Sequence, residues 1–529
     1  MYFLFSSLYV LLLLVLPLQA SEPTTEPVLR VETGMHSALI RRIVVDEKNN
    51  RLVTCSDDKT IRIWQLPEKR LVRTLRVPID QGHEGQLFGL AVSPDGKTIA
   101  AGGWTGWDWD KKASVYIFDV DSGELVKRLT DFRDAIHALA WSPDGKFLAV
   151  GLQGRAGLDF VRLSDGKTIS SDTQYLDKLT DLSYAKNGRL LAISMDGMAR
   201  LYNQKFKLIG RKKIPGGKTP IAIKYSPDSK SFAVGFLDKP VISVFSANKM
   251  EYLLQFDLTD INAQVNLTTV AWGETSEFLY AAGDFRGKDN SIYRWNINDK
   301  NAMDSITVSN LRVSEIQEMS GGHIAFSTED PGFGILKPDG KILTYQKSDV
   351  IDHSDIGSQF KISNDALLVS YPEEGDENEN FIFSALSAGD QSLRQKVDDE
   401  LFPPIRDSNK FKIENWKDSY ELTVNGIKPL MDDYEISRSY AFSPDDEKVL
   451  LGTEWAIRLL DKDAKEIWHQ KLAAVAWGVN ISRNGKLAVA ALSDGTIRWY
   501  QMKDGKEVLA YFPLSNGCLL YTSPSPRDS

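Results

Sequence analysis

The residues that could carry catalysis or bind a metal are few and scattered in this sequence. Cysteine and histidine supply many of the nucleophiles, general bases and metal ligands of proteins. The chain has two cysteines and six histidines in 529 residues, and the histidines stand apart at His36, His83, His137, His323, His353 and His469. It contains no His-Glu-x-x-His, Gly-x-Ser-x-Gly, phosphate-loop or paired Cys/His motif. The sequence therefore predicts no catalytic residue, no metal site and no cofactor, and a binding protein rather than an enzyme.

Binding through aromatic side chains is suggested by one tryptophan-rich segment. Trp104, Trp107 and Trp109 lie within six residues, interleaved with Asp108 and Asp110. Tryptophan buries a large area at a small cost in side-chain entropy, so it often anchors protein contacts. These five residues are predicted to form a partner-binding loop. The alternative is that the indoles fold back over their own sheet, because exposed aromatic clusters are poorly tolerated.

The charge balance limits the class of partner. The net charge is −9, which argues against nucleic acid as a partner. The most acidic segment, Glu373–Glu379, is interpreted as a loop. Such a loop is either only solvated, or it binds calcium or a basic protein.

The elements that must position these residues are hairpins that recur along the chain. Leu139–Gly151 reads LAWSPDGKFLAVG, and Leu90–Gly102 is nearly identical. Proline and glycine in the Ser-Pro-Asp-Gly turn fold the two apolar runs back as antiparallel strands. Weaker copies of the turn lie at Ser226–Lys230, Ser443–Lys448 and Ser482–Lys486. The first five turns are 40 to 49 residues apart, which is the period of a four-stranded propeller blade.

The first repeat also carries a recognisable sequence. Its segment Ser56–Trp64, SDDKTIRIW, is preceded by a histidine and a polar turn and resembles a WD-repeat blade. The resemblance implies an all-β WD-repeat β-propeller. It also implies a buried, structural hydrogen-bond network, because a buried imidazole needs partners for both nitrogens. The network residues are His36, Thr54 or Ser56, Asp58 and Trp64, with His83 at the corresponding place in the second repeat.

The number of repeats predicts two rings. Eleven units can be traced in the sequence, whereas one propeller closes with roughly four to eight blades. The predicted organisation is a seven-bladed ring at 27–346, a linker at 347–358, and an incomplete second ring of about four blades at 359–513.

The two ends of the chain are interpreted separately from the repeats. Residues 1–20 are typical of a signal peptide, with an apolar core at Leu8–Leu16, although the usual positive charges before it are missing. A membrane anchor is the alternative, and the apolar run is short for one. Cys518–Asp528 resembles a translated sequencing adapter, so 518–529 is predicted to be an artefact of a chain cut near Gly517. Cys55 would then be the one native cysteine, and the exported protein would have no internal disulfide.

The predicted function rests on these resemblances. The chain resembles an exported bacterial WD-repeat protein, which implies a non-catalytic scaffold for protein partners in the periplasm or outside a Gram-negative cell. No stable membrane span is expected after signal cleavage. The last repeat, Ser493–Pro513, resembles the final blade of WD-repeat proteins that continue into a caspase-like domain, so one alternative is the regulatory part of a truncated cysteine protease. The other alternative is a propeller hydrolase or lactonase with its site at the central channel.

Overall fold

The computed structural model describes most of the repeat region. The described residues are 32, 34–80, 82–258, 265–285, 290–309, 311–351, 353–354, 356–373, 376–384, 401–513 and 519–522. The predicted signal peptide at 1–20, Cys518 and residues 523–529 lie outside them.

The recurring turns are closed by their own side chains. In the second repeat Gly96 N donates to the Ser93 carbonyl at 2.8 Å, while Ser93 Oγ donates to Asp95 Oδ1 at 2.6 Å. Thr98 N then donates to Ser93 Oγ at 3.0 Å and begins the next strand. Gly96 has a φ of +72°, which glycine adopts without strain. Serine, aspartate and glycine therefore each have a separate role in starting a hairpin.

These hairpins build an all-β chain, as predicted. The structure contains 42 strands within the described residues, and neighbouring strands pair antiparallel in chain order. We call each successive sheet of four such strands a blade. The strands of blades 1 to 4 are β1 (Ile40–Asp46), β2 (Arg51–Ser56), β3 (Thr60–Gln65), β4 (Arg70–Arg76), β5 (Leu87–Val92), β6 (Thr98–Gly103), β7 (Ala113–Asp119), β8 (Leu125–Phe132), β9 (Ile136–Trp141), β10 (Phe147–Leu152), β11 (Leu158–Arg162), β12 (Lys167–Asp172), β13 (Leu179–Tyr184), β14 (Leu190–Ser194), β15 (Met198–Tyr202) and β16 (Leu208–Lys213).

Three further blades follow. Their strands are β17 (Pro220–Tyr225), β18 (Ser231–Phe236), β19 (Val241–Ser246), β20 (Tyr252–Asp257), β21 (Val265–Trp272), β22 (Phe278–Phe285), β23 (Asn290–Asn296), β24 (Asp299–Ser309), β25 (Val313–Met319), β26 (His323–Thr328), β27 (Phe333–Leu336) and β28 (Ile342–Gln346). The helical segments of the described residues are one short helix, α1 (Trp107–Asp110), and 3₁₀ turns at Glu47–Asn49, Ser320–Gly322 and Gly357–Gln359.

The seven blades close into a ring. Each innermost strand packs against the innermost strand of the next blade, and β25 of blade 7 packs back against β1 of blade 1. Phe333 and Ile335 of blade 7 share a core with Ile40, Ile43 and Trp64 of blade 1. Because strands alternate in direction, the Ser-Pro-Asp-Gly turns lie on one face, which we call the lower face. The segments that enter each blade and join its second and third strands lie on the opposite, upper face.

Residues 356–513, which we call the second unit, form further sheets. The strands from here to the end of the chain are β29 (Lys361–Ile362), β30 (Leu368–Glu373), β31 (Asp376–Ser384), β32 (Ile413–Glu414), β33 (Thr423–Val424), β34 (Ser437–Phe442), β35 (Lys448–Thr453), β36 (Ala456–Asp461), β37 (Glu466–Lys471), β38 (Ala476–Ile481), β39 (Leu487–Leu492), β40 (Ile497–Gln501), β41 (Glu507–Pro513) and β42 (Leu519–Thr522). The sheets β34–β37 and β38–β41 pack face to face, and Phe360 and Tyr371 cover the far side of the latter.

The acidic segment and the segment near the end of the chain both contain strand pairing. The acidic segment expected as a loop lies mostly in strands, because Glu373 pairs with Asp376. Leu519–Thr522, inside the predicted adapter segment, pairs with β41, and its non-native origin stays a prediction. The predicted boundaries of the two rings and the linker also stay predictions. Within the described residues, none of the helices has the length and apolar character needed to cross a membrane.

Candidate functional site: the upper face of the ring

The first feature of the upper face is a buried polar network in blade 1. His36 Nδ1 lies 2.8 Å from Asp58 Oδ2, and its Nε2 lies 2.7 Å from Thr54 Oγ1. Trp64 Nε1 donates to the same Thr54 oxygen at 3.0 Å. The predicted residues therefore meet in one chain of contacts. Of the two hydroxyls left open by the sequence, Thr54 occupies this place, while Ser56 donates to the Ala38 carbonyl at 2.7 Å.

This network has the properties of a structural element. All four side chains are buried, and each polar atom in the chain of contacts has a partner. Burial alone raises the pKa of the Asp58 carboxyl, but His36, Arg62 and Thr60 together outweigh burial and hold that pKa far below its usual value. The carboxylate is thus charged and fixed in the folded blade.

His83 enters blade 2 as His36 enters blade 1, but its surroundings differ. Its ring packs between Trp104, with the ring centroids 4.7 Å apart, and Trp455 of the second unit, at 5.0 Å. Neither ring nitrogen has a hydrogen-bond partner among the described residues, and Asp108 Oδ1 is 3.9 Å from Nε2. Burial lowers the pKa of His83 to about 4. The structure therefore does not place His83 in a network like that of blade 1.

The tryptophan-rich loop is folded around Glu84. Trp107–Asp110 forms the short helix α1, and the Glu84 carboxylate accepts hydrogen bonds from Gly106 N and, at 2.9 Å, from Asp108 N. Burial raises the pKa of Glu84 to about 7. Trp104 and Trp109 are each only 5% exposed. The loop is thus held by backbone donors that converge on one buried side chain.

The loop and its neighbours contact the second unit. Gly82 N donates to the Leu472 carbonyl at 2.9 Å, and Lys471 Nζ is 3.6 Å from Asp108 Oδ2. Tyr434 packs its ring 5.8 Å from that of Trp104. Its hydroxyl donates to Asp134 Oδ2 at 3.3 Å. The upper face on the side of blades 2 and 3 is therefore an intramolecular contact surface.

The partner-binding role predicted for this loop stays a prediction, and the geometry limits it. Trp104 and Trp109 are buried, which agrees with the alternative that the indoles pack inward. Trp107, Asp108 and Asp110 are partly exposed. Asp110 also pairs with Arg128. Only these three side chains are accessible to a partner while the second unit is in place.

The other histidines do not converge on a site. His353 is buried, and its Nε2 lies 3.2 Å from the Gly495 carbonyl. Among residues with described positions, no group of three or more histidine, cysteine, aspartate or glutamate side chains could hold a metal ion. The predicted absence of catalytic residues, metal and cofactor stays a prediction.

A second candidate surface was not anticipated from the sequence, although its signal is readable there. The segment 203–218, NQKFKLIGRKKIPGGK, contains six basic residues and no acidic one, in a chain with a net charge of −9. It forms β16, the outermost strand of blade 4, with its flanks. The basic side chains are Lys205, Lys207, Arg211, Lys212, Lys213 and Lys218, which we call the basic edge.

The basic edge is fully open to solvent. All six side chains are exposed, and none forms an ion pair with a residue whose position the structure describes. Leu208 and Ile209 on the same strand are 39% and 53% exposed. Among the strands that the structure describes, β16 pairs only with β15, so its other edge offers backbone groups that no described strand pairs with. Charge, apolar area and a free sheet edge therefore coincide.

Comparison with known proteins agrees with this architecture. The family model "WD domain, G-beta repeat" matches residues 29–65, 70–116 and 123–158. The chain is 30% identical to rat coronin-7 over 135 residues, which is 25% of this chain and 14% of that protein. It is 29% identical over 109 residues to the small ribosomal subunit protein RACK1 of Drosophila melanogaster, covering 21% of this chain and 30% of that protein. The match thus spans less than a third of either relative and supports a WD-repeat protein with β-propeller blades.

Proposed function

We propose that this protein is a scaffold that binds an acidic, extended segment of a protein partner along the basic edge of blade 4. The observation that carries the proposal is the set of six basic side chains on one outer strand and its flanks in an acidic chain, none of them ion-paired to a described residue. WD-repeat propellers are rigid platforms, and their functions reside in surfaces added to a common fold.

Three physical terms favour such a partner. Clustered exposed cations attract an acidic segment over a range of about 10 Å at ordinary ionic strength. The free edge of β16 can pair with an added strand through main-chain hydrogen bonds. Leu208 and Ile209 supply apolar area for alternate side chains of that strand. The charges attract the acidic segment, and the free edge of β16 fixes the direction along which the segment binds.

The structural alternative is that lysines protect an outer strand from aggregation. Natural sheets often carry charged residues at an exposed edge for this purpose. The outer strand β20 of the next blade has Tyr252 and Leu253 exposed by 49% and 50%, yet it contains no basic residue. Protection of exposed apolar edges alone therefore does not explain why β16 is basic and β20 is not.

Binding to a defined acidic peptide tests the proposal. We would measure, by calorimetry at two salt concentrations, the affinity of the full chain for a synthetic extended peptide of alternating glutamate and valine. A triple reversal, Lys207→Glu, Arg211→Glu and Lys212→Glu, should weaken binding by at least about tenfold, or about 1.4 kcal/mol. The matched control reverses three exposed lysines in the recurring hairpin turns, Lys97 and Lys146 in the ring and Lys486 in the second unit, and should bind as the parent does.

Two results would contradict the proposal. One is equal loss of affinity in the control, which would show that only net charge matters. The other is equal binding of a peptide of the same length and charge that contains proline at every third position, because such a peptide cannot add a strand.

We also propose that the scaffold works outside the cytoplasm of a Gram-negative bacterium. The supporting feature is the apolar core Leu8–Leu16 of the predicted signal peptide. The one described cysteine, Cys55, is buried and free, so the described part of the fold does not depend on a disulfide. N-terminal sequencing of protein from the periplasm should give Ser21 as the first residue, and an intact Met1 would contradict cleavage.

A further inference from the structure

A cavity of about 410 Å³ lies where the central channel of the ring opens towards the second unit. One wall consists of the ends of the innermost strands, including Arg41, His137 and Lys178. The second unit supplies the opposite wall, including Arg438 and Trp455. This volume falls in the range of roughly 300–1,000 Å³ that is typical of small-molecule sites. We call it the channel-mouth cavity.

The charges that line this cavity are mostly positive. Its lining contains five cationic side chains but a single carboxylate, Glu454; the cations are Arg41, Arg42, Lys178, Arg312 and Arg438. Glu454 is already engaged, with Oε2 3.3 Å from Arg438 and Oε1 3.8 Å from Arg41. The lining therefore offers no free carboxylate to neutralise an additional cation.

The five cations are not equally compensated. Arg41 is held by both oxygens of Asp57, at 2.9 and 3.0 Å from its Nε. Arg438 lies 2.6 Å from Asp418. By contrast, Lys178 forms no ion pair or side-chain hydrogen bond with any residue that the structure describes. Asp177 and Glu454 attract it electrostatically, but neither forms an ion pair with it.

Arg312 is the second open cation. Its closest acidic neighbour is Glu329, with Nε and Oε2 3.9 Å apart. That Nε is buried and has no hydrogen-bond partner among described residues. Arg312 lies at the entrance of blade 7, and Lys178 at the entrance of blade 4, on a different side of the ring. Two donors are thus available from separate parts of the cavity wall.

Two other lining side chains each have a buried polar atom without a partner among the described residues. His137 Nδ1 and Trp455 Nε1 are buried and make no hydrogen bond within the described residues, and Trp455 is only 3% exposed. Buried donors without a partner are costly, so such groups usually serve a ligand, a water molecule or a conformational change. Burial lowers the pKa of Lys178, and the nearby Arg41 lowers it further. An anion bound in the cavity would lower the free-energy cost of burying the Lys178 cation and these unpartnered polar atoms.

The remaining walls are aromatic. Phe88, Trp104 and Tyr434 line the cavity together with Trp455. Flat apolar walls around a few convergent donors are typical of sites for ring-containing ligands.

We infer that the channel-mouth cavity binds a small anionic molecule that combines a planar apolar ring with a carboxylate or phosphate group. The anionic group is held by Lys178 and Arg312, and the ring packs among the aromatic walls. Because one wall belongs to the ring and the other to the second unit, the ligand stabilises the contact between them. This inference does not rest on the proposed partner surface, since the basic edge lies on the outer strand of blade 4.

Calorimetry of the full chain with four defined probes tests the inference. Benzoate and phenyl phosphate carry the two anionic groups, inorganic phosphate lacks the ring, and benzamide lacks the charge. We expect benzoate or phenyl phosphate to bind and to raise the melting temperature, whereas benzamide should not bind. A stronger effect of one over the other identifies the anionic group. Absence of binding by both at about 10 mM, weaker than about −3 kcal/mol, would overturn the inference.

Two variants and one control locate the site. Lys178→Gln and Arg312→Gln should each weaken binding by about tenfold or more, whereas Lys167→Gln, an exposed lysine on blade 3, should leave it unchanged. Equal affinity in all three variants would show that the anion binds elsewhere and would refute the assignment. Arg312→Gln serves as the second variant if Lys178→Gln alters folding.

Proton linkage supplies an independent measurement. Burial holds the pKa of His137 well below its ordinary value, and Lys178 and Arg42 lower it further. An anion next to these groups favours their protonated forms, so binding near pH 6 should be accompanied by proton uptake. Titrations in two buffers with different ionisation enthalpies measure it. Unchanged proton uptake in both the His137→Gln and the Lys178→Gln variants would contradict a site at the channel mouth.

Discussion

Two histidines at equivalent places in neighbouring blades have different tasks. His36 of blade 1 contacts Asp58 and Thr54 within its own repeat. His83 of blade 2 contacts the rings of Trp104 and Trp455 and has no hydrogen-bond partner for either nitrogen among described residues. The first histidine stabilises one blade, whereas the second lies between the ring and the second unit.

The difference shows how a repeat fold acquires new surfaces. A complete polar network leaves its histidine with no need of partners from outside the blade, because every buried polar group in it is already paired. In blade 2 the side chains that would pair with His83 are absent, and aromatic contacts from a distant part of the chain cover it instead. Blade 2, whose histidine lacks such a network, packs that histidine against the second unit.

The largest effect that separates the two blades is expected from removing their buried indoles. Trp64→Ala deletes a fully buried side chain in the core shared by blades 1 and 7, which should cost about 3–5 kcal/mol of unfolding free energy. Urea denaturation measures this loss. Trp104→Ala should instead release the second unit, which limited proteolysis would detect as earlier cleavage between residues 346 and 513. Identical cleavage patterns for the two variants would contradict the distinction between the blades.

A smaller loss of unfolding free energy is expected when the carboxylate of the blade 1 network is neutralised. Asp58→Asn leaves the shape nearly unchanged but removes the charge beside His36, which should cost about 2–3 kcal/mol. The pKa of Asp58 is depressed in the fold, so its contribution is present above the unfolded pKa near 4 and is lost as pH falls. The stability difference between the parent and Asp58→Asn should therefore shrink below about pH 4. A difference independent of pH would show that Asp58 acts without its charge.

In blade 2, two adjacent groups, His83 and Glu84, are expected to change the stability of the fold in opposite directions as the pH rises. The pKa of His83 is lowered to about 4, so its contribution to stability is lost as pH falls from about 6.5 to 4. The pKa of Glu84 is raised to about 7, so its contribution is lost as pH rises from about 4.5 to 7. In the parent the two slopes oppose each other over the shared range.

Replacing either His83 or Glu84 should reveal the pH dependence of stability that the other group contributes. Glu84→Gln keeps an oxygen for the N–H groups of Gly106 and Asp108, and its stability should increase as pH rises from 4 to 6.5. His83→Gln should show the reverse slope, with a change of about 3 kcal/mol at most in either case. Melting temperatures across this pH range measure both. Parallel curves for the two variants and the parent would mean that neither group titrates with the fold.

The sequence predicted those features of the molecule whose contacting residues lie close together in the chain. His36, Thr54, Asp58 and Trp64 fall within one repeat, so their pattern identified both the fold and the network. The contact of Trp104 with Tyr434 joins residues 330 positions apart, and no local pattern encodes it. The acidic segment was expected to be a loop because its charges obscured the strand pairing of Glu373 with Asp376. The basic edge was readable at 203–218, but the net charge of the whole chain concealed it.

The smallest effect tests whether the second unit is held by many weak contacts or by one strong one. Tyr434→Phe removes the hydroxyl that donates to Asp134 Oδ2 at 3.3 Å and keeps the ring beside Trp104. Burial already raises the pKa of Asp134, and the hydroxyl partly offsets this, so the loss should be about 1 kcal/mol or less. Tyr420→Phe is the matched control, because Tyr420 also lines the channel-mouth cavity and its hydroxyl makes no hydrogen bond to a described residue. Amide hydrogen exchange at 432–436 should increase a few-fold in Tyr434→Phe and stay unchanged in Tyr420→Phe. Release of the whole second unit by Tyr434→Phe would instead show that this single hydroxyl, rather than the aromatic contacts around His83, holds the two parts together.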